Sequence, residues 1–340
     1  MIVVTGATGF IGREFIKKLA NEVDVKDILC LVYEKCDNEL EITGRKVLDN
    51  LGIKYIPIDL ISGNGMKYIP KSPDVVYHLA SVTVTASKDH RVNDIGTKNL
   101  IESIYPLKPE MKFIYTSTIC VSDIRPNYSI PISETSSTPG RPANLYGRKK
   151  LIAEDYLKEH AKKHKFSLSI IRVCGVYGNG VRVNGLFDSI EKLVKKKSIL
   201  MRLNWPGKIS IIHVNDMADF ILNVGKKALP NFQGELYIPS VEELTLEEMS
   251  MIVHKATGLV YNPIRLPKIF WSFCSFFAKN KNKIEYLLPH RTYDRFWQAC
   301  LLVNNEFWNV SYKVFNVIDK SNAYTYKKYY SLKAKEDTND

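Results

Sequence analysis

Tyr146 and Lys150 stand four residues apart in NLYGRKKLIAEDYLKEH, a stretch of helical periodicity, so both side chains leave one helix face a single turn apart. A free phenol has a pKa of about 10, and a fixed ammonium one turn away favours its phenolate. Such a pair can exchange a proton with a carbinol or carbonyl oxygen, as a general acid/base. The same spacing also arises as a surface contact: 19 tyrosines and 48 lysines and arginines give roughly two or three matches by chance. A second cluster opens the chain. In GATGFIG, Gly6, Gly9 and Gly12 separate the apolar run IVV from a helical period, and their bare backbone can turn tightly and approach a pyrophosphate. The helix start then offers N–H groups and a positive dipole end, with Thr8, Phe10 and Ile11 in the same turn. Arg13 reads equally as a phosphate contact or a solvated first-turn residue. The spacing is Gly-x-x-Gly-x-x-Gly, not Gly-x-Gly-x-x-Gly, and a purely structural tight turn is the alternative reading.

The elements that must position these groups are legible as periodic runs. IVV, DILCLVY, KYIPIDL, DVVYHLA, KFIYTST and SLSIIRV recur along the chain, separated mostly by helical segments or turns. This alternation predicts an α/β fold, a doubly wound parallel-sheet Rossmann domain with a smaller, mostly C-terminal substrate-binding subdomain. ISIIHVNDMADFILNV, residues 209–224, reads as a late strand entering a helix. The expected division is residues 1–174 and 209–238 for the Rossmann domain and 175–208 and 239–330 for the substrate subdomain. A disordered tail is expected over 331–340. No internal repeat is present.

Taken together, GATGFIG, the DL at Asp59 and Leu60, the HLA ending at Ala80, NDIGT from Asn93 and YGRKK from Tyr146 carry a family likeness. The chain resembles the extended short-chain dehydrogenase/reductase family, of the NAD-dependent epimerase/dehydratase type, over most of its length to about Val224. The resemblance implies that Asp59 and Leu60 lie near an adenine and that Leu79 and Ala80 line the nicotinamide side. It matches Thr118, at the end of KFIYTST, to the family's catalytic Ser/Thr, whose hydroxyl bonds the substrate oxygen while Tyr146 exchanges the proton. It also gives Lys150 a hold on the nicotinamide ribose and Asn93 a bracing role. The cofactor is then NAD or NADP. The second strand ends at Tyr33, followed by Glu34 and Lys35, where an acidic residue or an arginine would have chosen between them.

The family's 4,6-dehydratases follow the catalytic threonine with Asp and Glu; here Ile119 and Cys120 stand there, which disfavours dehydration. Cys120 falls where some epimerase-reductases place a proton-transferring cysteine, but Asn179 and Gly180 replace the partner histidine, and a buried inert thiol is the competing reading. Gly175 and Ile209 occupy positions where sugar-processing members carry a substrate-holding Asn and Arg, with Lys208 beside the latter, while His213, Val214 and Asp216 keep the late-strand pattern. The candidate substrate residues are Cys120, Asn179, Arg182 and Lys208. The leading reading is an NAD(P)-dependent oxidoreductase or epimerase acting on a nucleotide sugar, in surface-polysaccharide biosynthesis. The alternatives are a reductase or dehydrogenase of a steroid-, isoprenoid- or lipid-like alcohol, and a non-enzymatic dinucleotide-sensing scaffold.

With 340 residues and 45% hydrophobic composition the chain can bury a sizeable core, and its net charge of +12 favours anionic ligands. The basic runs at Lys195, Lys196 and Lys197 and at Lys279, Lys281 and Lys283 lack interleaved aromatics and read as solvated faces, so no nucleic-acid partner is expected. The six cysteines show no metal-ligand spacing; free thiols and the absence of an export leader fit the cytoplasm, with no metal. KIFWSFCSFFA falls short of the about 20 apolar residues that cross a bilayer, and reads as a buried or interfacial helix that permits peripheral membrane contact. A homodimer is compatible with the family likeness.

Overall fold

The computed structural model describes residues 1–84, 87–122, 132, 134, 141–142, 144–181, 185–227, 234–279 and 323–336. Strands β1 (Ile2–Thr5), β2 (Ile28–Tyr33), β3 (Lys54–Ile58), β4 (Val75–His78), β5 (Lys112–Thr118), β6 (Ser167–Val173) and β9 (Glu235–Tyr237) form one sheet in the order β3-β2-β1-β4-β5-β6-β9. Every pairing in it is parallel. A parallel sheet is covered on both faces, which explains why its strands read as near-continuous apolar runs. Helices α1 (Phe10–Ala20), α2 (Glu39–Leu51) and α6 (Val214–Lys226) close one face through Phe15, Ile16, Leu48, Met217 and Ile221. Helices α3 (Arg91–Ser103) and α4 (Leu145–His164) close the other through Leu100, Ile101, Ala153 and Leu157. The strand order reverses between β1 and β4, and this is where a doubly wound sheet opens a crevice at its carboxyl edge.

A second, three-stranded sheet, ordered β10-β8-β7, is built from β7 (Gly175–Tyr177), β8 (Lys208–His213) and β10 (Glu242–Thr245). Around it α5 (Leu186–Lys195), α7 (Leu246–Ala256) and the C-terminal α9 (Tyr326–Glu336) bury Tyr177, Phe187, Ile190, Met249, Val253 and Tyr326. α7 starts on a capping box, Thr245 with Glu248.

Three segments singled out in the sequence are placed as follows. The boundary expected at residue 209 falls inside β8, which joins the small sheet because β9 takes the place beside β6. α6 and β9, in contrast, complete the Rossmann part. Residues 331–336 of the expected disordered tail are helical, since α9 inserts Tyr326 and Tyr330 into the small core; residues 337–340 lie outside the described set. KIFWSFCSFFA, expected as a buried or interfacial helix, forms α8 (Lys268–Lys279); within residues 268–274 Trp271 is buried, against Trp205 at 5.2 Å, while Ile269, Phe270 and Phe273 are exposed. No helix among the described residues is long and apolar enough to cross a membrane. Lys195, Lys196 and Lys197 are exposed, as a solvated face requires. The cysteines among the described residues are free thiols.

Candidate active site

The glycine turn lies at the β1 edge of the crevice. Gly6 has φ +72°, and a Cβ there would stand 2.5 Å from the backbone nitrogen of Ala80, so the loop after β4 packs directly on it. At Gly12 a Cβ would meet the Gly6 carbonyl oxygen at 1.9 Å, so only glycine lets α1 begin this close to the turn. Gly9 is the N-cap of α1 and has no side chain to satisfy the first-turn N–H groups of Phe10, Ile11 and Gly12. The result is a bare cradle at a helix N-terminus, which fits a pyrophosphate. Thr8 turns away from it and donates to the Glu41 carboxylate at 2.7 Å. Arg13 reaches the segment around Gly180 instead: its guanidinium nitrogen would stand 2.9 Å from a Cβ there.

Buried threonines lock this turn to its neighbours. The Thr5 hydroxyl pairs with Nδ1 of His78 at 2.7 Å and accepts from the Ala80 N–H at 3.2 Å, while Leu79 N–H donates to the Thr5 carbonyl at 3.1 Å. The other ring nitrogen of His78 meets Thr97 of α3 at 2.9 Å. Burial, reinforced by the Lys150 charge, pushes His78 down to about 3, so its ring is neutral. Asn93 braces the loop after β4, accepting from Ser81 Oγ at 2.9 Å and Val82 N–H at 3.1 Å and donating to the Val82 carbonyl at 3.0 Å.

Thr118, Tyr146 and Lys150 are all buried, from the last residue of β5 and the first two turns of α4. The Asn144 side chain caps α4 by accepting from Gly147 N–H at 2.8 Å, and a Cβ at Gly147 would stand 2.7 Å from the Cys120 carbonyl oxygen; glycine therefore lets α4 start against the end of β5. The Thr118 hydroxyl accepts from Cys120 N–H at 3.2 Å, which uses a lone pair and not the hydroxyl proton. Lys150 Nζ donates to the Thr116 carbonyl at 2.8 Å and lies 4.6 Å over the Tyr115 ring. Burial pushes the Lys150 ammonium down to about 7, with the Glu154 charge opposing. Lys149 ties α4 to α3 through Asp94 at 2.7 Å.

The remaining expected residues are placed unevenly. Tyr33 is exposed at the end of β2, its carbonyl accepting from Arg45 of α2 at 2.5 Å. Asp59 accepts from Ile61 N–H at 2.7 Å and so shapes its own loop, while Asn99 holds Leu60 by its carbonyl at 2.8 Å. Cys120 is half-buried beside Thr118. Asn179 is not brought to the acid/base cluster: it accepts from Tyr329 at 2.9 Å and lines a cavity of about 270 Å³ between α5 and α9. Lys208 starts β8, opposite Thr245, whereas His213 at the far end of the strand lies beside Tyr177. Arg182 lies outside the described residues. A Cβ at Gly175 would meet Ser210 O at 3.2 Å and the Ile211 side chain at 3.3 Å, and Ile209 is buried, so both departures serve packing of the small lobe. Glu41 and Arg45 of α2 stand at the glycine turn and the end of β2, and no spacing in the sequence links them to either.

Comparison with known proteins agrees with this architecture. The model of the NAD dependent epimerase/dehydratase family matches residues 2–237. Human dTDP-D-glucose 4,6-dehydratase is 26% identical over 253 residues, 69% of this chain and 67% of that protein. GDP-6-deoxy-D-talose 4-dehydrogenase of Aggregatibacter actinomycetemcomitans is 26% identical over 238 residues, 68% of this chain and 71% of that one. Among solved structures, a UDP-glucuronic acid 4-epimerase variant from Bacillus cereus, in complex with a fluorinated UDP-sugar and NAD, superposes with a TM-score of 0.71 at 16% identity, covering 99% of both chains. At that identity the likeness speaks for the fold.

Proposed function

The chain belongs to the NAD dependent epimerase/dehydratase family, and from that premise we propose that it oxidises or reduces a carbinol or carbonyl carbon of a nucleotide sugar, as a 4-epimerase or a ketoreductase. The observation that carries the reading is that Thr118 ends β5 and Tyr146 and Lys150 open α4, all three buried, with α4 starting against the end of β5, while the bare glycine cradle follows β1 of the same sheet. Gly6, Gly9 and Gly12 would hold the pyrophosphate of a nicotinamide dinucleotide, and Lys150 its nicotinamide ribose. Bound there, the dinucleotide supplies the hydride acceptor and donor. Tyr146 takes the proton from the carbinol oxygen on oxidation and returns it on reduction. The Thr118 hydroxyl donates to the same oxygen and fixes its position. The Lys150 ammonium favours the phenolate of Tyr146. Ile119, buried, and Cys120 offer no acid pair for water elimination. The product class suits surface-polysaccharide biosynthesis.

The test is a fluorescence titration with NADH and NADPH, alone and with UDP-, dTDP- and GDP-hexoses. One coenzyme is expected to bind, more tightly with a matching nucleotide sugar. Binding of neither removes the proposal, and release of a 4-keto-6-deoxy sugar would make the enzyme a dehydratase. Gly175 and the buried Ile209 withhold two polar side chains from a diphosphate, which favours a second reading, a lipid-like alcohol as substrate. Turnover of detergent-dispersed alcohols with no nucleotide-sugar effect would select it.

A further inference from the structure

We propose that Glu154 is a positioning residue, fixing the register of α4 against β5 and β6 and supporting the charge of Lys150 one helical turn away. Its carboxylate is fully buried and holds three elements at once. Ser117, the neighbour of Thr118, donates to it at 2.5 Å; Arg172 of β6 donates from Nε at 3.0 Å and from its terminal nitrogen at 2.7 Å. Lys158 approaches at 3.5 Å from the next turn of α4. Residues 146, 150 and 154 share one helix face, so the carboxylate that grips Ser117 lies on the stripe that presents Tyr146 and Lys150. A buried carboxylate with one strong partner on each neighbouring strand admits few alternative positions, because slipping α4 would leave Glu154 and Arg172 buried without each other.

The charged and titratable groups around this pair come from every packed element. α4 contributes Tyr146 and Lys158, β5 Tyr115, β6 Arg172, β4 the neutral His78, and α3 Asp94. Burial raises the Glu154 proton affinity, and Arg172, Ser117 and Lys158 together more than reverse it, so the carboxylate is ionised; of these groups, it is the one that opposes the burial of the Lys150 ammonium.

The proposal rests on Tyr146 and Lys150 as the acid/base site, so its test reads coenzyme binding and not turnover. NADH affinity is followed by fluorescence between about pH 6 and about pH 10, the range over which a shifted lysine titrates. Glu154→Gln should move the loss of binding to lower pH by about one unit, hence about tenfold weaker binding on the alkaline side. A folded Glu154→Gln whose midpoint coincides with wild type overturns the charge role. Ser117→Ala should weaken NADH at all pH values, roughly threefold, with the midpoint unmoved; wild-type affinity overturns the register role. If Glu154→Gln does not fold by circular dichroism, Glu154→Asp carries the test: it keeps the charge and loses reach, so its midpoint should stay while affinity falls, and a shifted midpoint or wild-type affinity overturns the proposal. Normal turnover in Tyr146→Phe would sink the acid/base assignment and leave these binding results standing.

Discussion

At the scale of single residues, the phenol oxygen of Tyr146 is the group whose removal separates chemistry from binding. Its ring is buried and sits 5.7 Å from that of His90, so Tyr146→Phe keeps the packing and deletes only the proton carrier. NADH affinity should remain within about twofold, while turnover falls by about 10²- to 10⁴-fold, the usual contribution of a general acid/base. Single-turnover kinetics with the substrate found by titration would measure it, and near-wild-type turnover would remove Tyr146 from the mechanism. Much of this residue set is legible in the sequence because Tyr146 and Lys150 lie within one helix, where spacing alone fixes a shared face. Glu154 lies on the same stripe and was legible to that extent. That its carboxylate meets Ser117 and Arg172 was not, since those partners are distant in sequence.

Among the elements, α9 illustrates a helix that composition conceals. YYSLKAKE is rich in lysine and weakly amphipathic, yet Tyr326 is fully buried between Tyr177 at 5.0 Å and Tyr330 at 4.8 Å. The segment leading in is pinned by its backbone: Tyr324 N–H donates to Asp216 at 2.9 Å, Tyr177 donates to the Tyr324 carbonyl at 2.8 Å, and the Tyr326 N–H meets Glu242. Tyr326→Ala should therefore destabilise the small lobe by about 3–5 kcal/mol, as other large buried aromatic truncations do. Urea unfolding would show it as a lowered midpoint. An unchanged midpoint would mean that α9 is not part of the folded lobe.

For the molecule as a whole, buried histidines set the acid limit. Burial pushes His78 down to about 3 and His213 down to about 4, both below the ordinary histidine value. Between about pH 6.5 and pH 4 the unfolded chain therefore takes up protons that the folded chain refuses, and stability falls as pH falls. Asp216 works with the opposite sign: burial lifts its carboxyl to about 6, so the folded state accepts that proton first and gains stability on acidification. His160 is pushed down as well, and Glu41 and Glu242 are pushed up, by smaller shifts that oppose one another; the two large histidine shifts outweigh that of Asp216 and leave a net loss. The melting temperature should drop on acidification below about pH 6.5, and the slope should flatten in a His78→Gln, His213→Gln variant. A flat wild-type profile would contradict the burial of both rings.

By itself the sequence determined the glycine turn, the strands β1 to β6, their parallel α/β arrangement and the face shared by Tyr146 and Lys150. Each of these depends on periods of two and 3.6 residues or on backbone freedom at a single glycine, and both are local. Tertiary structure alone decided which distant groups complete the site. The pairing of Thr118 with Val173 sets Ser117 opposite Arg172, and α4 then lays Glu154 between them. The same kind of long-range register moved β8 into the small sheet, took Asn179 to Tyr329 and brought Glu41 of α2 onto Thr8. Nothing within a segment encodes such meetings, because they arise only once the sheet order has put segments far apart in sequence edge to edge.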